Sequence, residues 1–156
     1  MKKILLVLIG FVLLSLLTAC WKSVDNGNDL EKVDLLEDLR GKVPLTLEDL
    51  DRINENRFPV SYTYNVYKGE EVIETWEYVY PENVDHNLLL PIEETMVGRE
   101  VISSVMSHDR INTIVDITLQ NGESYPVLYI INPDTLKYLW ASLTTPTTTT
   151  LYTFSY

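Results

Sequence analysis

Period-two alternation over most of the chain constrains its fold more than any other feature. From Val60, the residues Tyr62, Tyr64 and Val66 alternate with Ser61, Thr63 and Asn65, as in a strand with one buried and one wetted face. After Lys68-Gly69-Glu70, the segment Glu71 to Tyr80 completes a β-hairpin. A Gly69-Glu70 turn of type II′ pairs Val66 with Ile73 and Val60 with Val79, whereas a Lys68-Gly69 turn slips the register by one. The first is preferred because it matches apolar with apolar. Thr113 to Gln120 and Glu123 to Asn132 flank Asn121-Gly122, a pair suited to the two positive φ angles of a type I′ turn. Pro126 lacks an N–H and is expected at an edge or a bulge. Asn132-Pro133-Asp134 turns the chain into Thr135 to Ser142, and a threonine-rich tract around Pro146 precedes a last strand, Leu151 to Tyr156.

Two stretches before the alternating region follow a helical period. Leu30, Val33, Leu36 and Leu39 recur every three residues, with Asp29 as the cap and Gly41 as the stop. Thr46 and Asp49 form a capping box ahead of Leu47 to about Asn54, whose apolar face is Leu47, Leu50 and Ile53. Residues 81 to 98 carry Pro81, Pro91 and Gly98 and read as a loop around the apolar run Leu88 to Leu90. Glu100 to Met106 fits either a helix or a strand. The expected fold class is α+β, mainly β. One or two short N-terminal helices precede an antiparallel sheet of six or seven strands, curled into a small barrel or sandwich. With 156 residues the chain holds about one domain, expected over residues 29–156.

The N-terminus has a different logic. Met1-Lys2-Lys3 precedes Ile4 to Leu17, 14 residues interrupted only by Gly10 and Ser15, the order of a secretory signal. At the helical rise that stretch spans about 21 Å, short of the roughly 30 Å hydrocarbon core. Leu17-Thr18-Ala19-Cys20 follows, and Cys20 is the only cysteine. These residues resemble the lipobox of bacterial lipoproteins. The resemblance implies that residues 1–19 are a signal peptide, that Leu17, Thr18 and Ala19 are read by the signal peptidase, and that Cys20 is the lipidated first residue of the mature chain. Residues 20–28 would be a short linker. The protein would then face the extracytoplasmic side of the cell membrane or of an outer membrane, attached by lipid. Counting on to Trp21 lengthens the run to 18, which would suit an uncleaved anchor.

Charge narrows the partners. The chain has 12 Lys+Arg against 23 Asp+Glu, a net charge of −11, which disfavours nucleic acid because phosphate binding relies on cationic side chains. Residues 1–19 carry Lys2 and Lys3 and no acid, so removing them leaves 10 bases against 23 acids, or −13. Such a domain is repelled by anionic headgroups, leaving the lipid as its hold on the membrane. A single thiol builds neither a disulfide framework nor a Cys-based zinc site, and no cofactor is expected.

Templates for catalysis fail in turn. Ser103, Ser104, Ser107, His108 and Asp109 cluster in sequence, but on a helix Asp109 lies about 100° round from His108 and cannot orient it; a polar turn explains them better. His86 stands alone in a loop, and no His pair has metal-ligand spacing. Asp25 to Asp29 fails the calcium-loop spacing. Glu93-Glu94 and the Glu70, Glu71, Glu74, Glu77 series suit solvated edge positions. No catalytic residues and no metal site are expected.

Aromatic residues offer a binding surface instead. All ten Tyr lie between residues 62 and 156, and a half-buried pleated face accommodates Tyr for packing alone. Tyr62, Tyr64, Trp76 and Tyr78 are the candidates to face a sugar, peptide or protein. Residues 70–100 carry nine acids and one base, which would steer a basic partner towards them. The expected function is a non-catalytic binding module of the envelope, of an inhibitor, immunity or exclusion type, with a basic protein or cell-wall component as partner. The alternatives are a β-barrel carrier holding a small molecule in its interior and, behind it, a carboxylate-dependent hydrolase.

Overall fold

The alternation is realised as seven strands of one antiparallel sheet in the computed structural model, which describes residues 34–156. Helix α1, Leu47–Asn56, precedes them. The strands are β1 Ser61–Lys68, β2 Glu71–Val79, β3 Met96–Ser107, β4 Arg110–Leu119, β5 Ser124–Ile131, β6 Tyr138–Thr144 and β7 Thr149–Ser155. Their order is β2-β1-β7-β6-β5-β4-β3. The first hairpin therefore forms one edge. The chain then crosses the sheet through residues 80–95, and β3 to β7 return as a meander until β7 pairs with β1.

This order corrects the expected barrel or sandwich: among the described residues β2 and β3 are free edges, and the sheet stays open. Sequential hairpins predict antiparallel neighbours, but closure depends on the two edge strands meeting. Here the β7–β1 ladder joins the meander to the first hairpin and leaves both outer strands unpaired on one side. The ambiguous segment Glu100 to Met106 is strand, within a β3 that begins at Met96 and so shortens the expected loop.

One face of the sheet carries the core. Ile111, Thr113, Val115 and Ile117 of β4 and Val127, Tyr129 and Ile131 of β5 are buried in alternation, and Tyr138, Ala141, Leu143, Tyr152 and Phe154 extend the layer. Against it pack Leu50 and Ile53 of α1, Leu36, Leu39 and Leu45 ahead of it, and Leu89 and Leu90 of the crossover.

Helix α1 starts where its sequence predicts. The Thr46 hydroxyl accepts from the Asp49 N–H at 3.2 Å while the Thr46 N–H donates to Oδ2 of Asp49 at 2.8 Å, satisfying two groups a helix start leaves open. The other expected helix corrects to a short 3-10 turn, Glu37–Leu39, among the described residues; Asp29 to Val33 lie outside them. A spacing of three matches the 3-10 period better than 3.6, and it buries Leu36 and Leu39 together. Gly41 ends this segment as expected, at φ 67°, with its N–H donating to the Pro133 carbonyl at 3.1 Å.

Two hairpin registers differ from expectation. The Leu119 N–H donates to the Glu123 carbonyl at 2.8 Å and closes a three-residue turn, Gln120-Asn121-Gly122, between β4 and β5, with only Gly122 at positive φ, 84°. The Asn121 side chain accepts the Glu123 N–H at 3.0 Å. Pairing Val115 with Val127 and Ile117 with Tyr125 places both sets of core residues on one face; the expected type I′ turn would offset them by one and expose one set. In the first hairpin the Gly69-Glu70 turn forms as expected, closing Lys68 against Glu71. A bulge at Ile73 then shifts the rest, so Val66 pairs with Glu74 and Ser61, not Val60, with Val79. Pro126 pairs across to Asp116 but lies beyond the last β6 partner, so its missing N–H costs no ladder bond there.

Candidate functional site

The Ile73 bulge decides what the first hairpin presents. Without it, the Gly69-Glu70 turn would set Tyr64 against Thr75 and put Trp76 and Tyr78 on the opposite face. With it, Tyr62 pairs with Tyr78 and Tyr64 with Trp76, and all four side chains share the core-side face. A bulge re-aims every residue beyond it in this way.

The core does not reach the end of this face. Tyr62 is buried at 4% exposure, while Trp76 and Tyr78 are 59% and 44% exposed. The crossover supplies a second wall, and between the walls lies a cleft of about 290 Å³. Tyr62, Tyr64, Trp76, Tyr78 and Tyr80 line one side and Val84, Leu88, Leu89, Leu90 and Pro91 the other, with Glu77 and Glu94 completing it. The four aromatic residues expected to form a binding surface thus line one cavity. Sequence reading missed the second wall; an apolar run between two prolines in a connection is the signal that it packs against something.

Ring geometry fixes the aromatic side. Tyr62 stacks on Tyr78 with centroids 5.3 Å apart, and Tyr78 and Tyr80 stand at 88° to each other at 5.5 Å. The Tyr80 hydroxyl donates to the Leu89 carbonyl, joining the strand end to the crossover. Phe58 packs edge-on to Tyr80 at 4.7 Å and stacks on His86 at 4.9 Å, so the histidine that stands alone in sequence has a partner. Tyr64 donates to Oε1 of Glu74 at 3.3 Å. Burial first, then the neighbouring Tyr78, Tyr64 and Glu94, pushes the Tyr62 phenol up to about 12; it remains a neutral wall at any physiological pH.

The adjacent carboxylates Glu93 and Glu94 have opposite settings. Glu94 is exposed at the cleft, whereas Glu93 is buried, accepting from the Tyr129 hydroxyl at 2.7 Å and the Leu90 N–H at 2.7 Å. Burial raises the Glu93 acid above its usual range despite these donors and nearby Arg99. A carboxyl that holds its proton more tightly folded than unfolded contributes its stabilisation at low pH, and loses it as pH rises from about 4.5 through the raised folded value. We expect Glu93→Gln to gain stability relative to the parent as pH climbs from 4.5. Urea midpoints across pH check this, and a difference that stays flat would refute it.

The serine and histidine cluster divides between two places. Ser104 is buried on the core face of β3, accepting from the Leu45 N–H at 2.8 Å and lying 3.1 Å from the Thr113 hydroxyl, a structural tie between strand and helix entry. His108 and Asp109 form the β3–β4 turn, with His108 at φ 57°, and Asp109 lies 3.6 Å from Arg110. Among the described residues no three His, Cys, Asp or Glu side chains are placed to hold a metal ion, and no helix is long and apolar enough to cross a membrane. Cys20, the signal residues Leu17 to Ala19, and Asp25 to Asp29 lie outside the described residues. Comparison of the chain with protein-family models, curated proteins and solved structures found no match.

Proposed function

We propose that this protein is a lipid-anchored lipoprotein of the bacterial cell envelope, held through Cys20 on the extracytoplasmic side, and that it works by non-catalytic binding at the aromatic cleft. The partner would be a protein or a cell-wall component. One observation carries the reading: residues from β1, β2 and the crossover converge on a single cavity while leaving Trp76 mostly and Tyr78 partly exposed. Tyr62 and Tyr152, both buried, pack in a T-shaped pair 5.6 Å apart and serve the core. Trp76 has no such structural use, and large exposed aromatics beside a concavity are what binding surfaces favour.

The carrier alternative loses its expected site, since an open sheet encloses no barrel interior. What remains for it is the same cleft, at about 290 Å³ near the lower limit of ligand pockets.

A photo-crosslinking amino acid placed at Val84 or Glu94, both at the cleft, in living cells tests the reading. We expect a discrete adduct from both positions and none from Asp109, which lies in the turn next to the other sheet edge. Equal labelling from all three positions, or none from the cleft, would reject it.

A further inference from the structure

We propose that the cleft takes the positively charged end of an arginine or lysine side chain, presented by a polypeptide segment lying along the free edge of β2. This rests on the cleft being the binding site and adds the class of group that enters it.

The lining selects for charge. Five aromatic rings form one wall, with Tyr78 and Tyr80 nearly perpendicular over Tyr62 and the Trp76 ring open to solvent. Aromatic faces are electrically negative and attract cations, tryptophan most strongly. Among the described residues lining the cleft none is Lys or Arg; Glu94 is charged, Glu74 lies beside the cleft on Tyr64, and Glu77, paired with Thr63, adds its charge from the other face of β2. An anion would be repelled by Glu94 and the aromatic faces, and a neutral ligand would leave this field unused. The facing wall of Val84, Leu88, Leu89, Leu90 and Pro91 suits a methylene stem. At about 290 Å³ the cavity has room for one long side chain.

The edge indicates where that side chain comes from. Trp76, Glu77 and Tyr78 belong to β2, the outermost strand, which among the described residues has no strand on its outer side. Val72, Ile73 and Val79 are exposed along it, interspersed with Glu71, Glu74 and Glu77. An extended peptide can add to such an edge through main-chain hydrogen bonds and drop alternate side chains onto one face. A free amine uses only the cavity; a basic peptide uses the cavity, the edge and the carboxylates together.

The test is titration of the full-length protein in non-ionic detergent with the peptide acetyl-Thr-Val-Thr-Arg-Thr-Val-Thr-amide. The same peptide with neutral citrulline in place of arginine is the comparison. We expect the arginine peptide to bind about tenfold more tightly, the gap to shrink about threefold in Glu94→Gln, and binding to weaken with salt. Trp76→Ala should abolish binding while circular dichroism stays unchanged. Equal affinity for the two peptides, lost in Trp76→Ala, would overturn the cation requirement and leave the cleft as the site. Binding of neither peptide would overturn the proposal, and crosslinking from the cleft in cells would then judge the site on its own. Free choline or arginine amide binding as tightly as the peptide would overturn the polypeptide source.

Discussion

Replacing Cys20 by alanine will remove all fatty-acid label from the protein and leave residues 1–19 attached. The native protein will have a mass that begins at a lipidated Cys20. If Cys20 is the acylated residue, no other group in the chain substitutes for it, because it is the only cysteine. A companion change should free the polypeptide: exchanging residues 1–20 for a leader cut by ordinary signal peptidase should move the protein entirely to the soluble fraction. Each buried methylene contributes about 0.8 kcal/mol, so two acyl chains hold firmly and their loss is decisive. A domain at −13 gains nothing from anionic headgroups to compensate. Palmitate labelling with intact-mass measurement reads the first effect and fractionation the second. A native chain found whole from Met1 and without lipid would establish an uncleaved apolar anchor instead.

The second large effect is in the core. Val127→Asp will prevent stable folding, whereas Val105→Asp will change stability by no more than about 0.5 kcal/mol. Both are valines in strands. Val127 is completely buried in β5 between Val115 and Leu143, so a carboxylate there has neither water nor a cation. Such a group costs several kcal/mol even after its acid constant shifts, against a total stability of about 5–15 kcal/mol. Val105 is 51% exposed on the free edge strand β3, where added charge also discourages edge-to-edge association. Urea unfolding followed by circular dichroism distinguishes them, and a cooperative transition in Val127→Asp near the parent midpoint would contradict the assigned core.

How much of this was legible beforehand differs between residues. The Thr46–Asp49 capping box, the Gly69-Glu70 turn and the strand character around Thr113 to Asn132 follow from local chemistry, because each depends on residues within a few positions of one another. The grouping of Tyr62, Tyr64, Trp76 and Tyr78 was legible as composition only. In the preferred hairpin register they fall on opposite faces, and a bulge brings them together. Likewise, Ser104 belongs to the buried tie with Leu45 and Thr113, which no spacing in the chain announces.

The sequence by itself determined that strands alternate with tight turns, that the helix begins at Thr46, and that the acidic charge concentrates over residues 70–100, since periodicity, capping and charge are short-range properties. Tertiary structure alone decided that the sheet stays open, that β2 and β3 are its edges, and that the crossover faces the first hairpin to make a cleft. The reason is parity and pairing. A single extra residue reverses which face a strand presents, and whether a sheet closes depends on strands far apart in the chain, so both are settled only when the core on one face is packed.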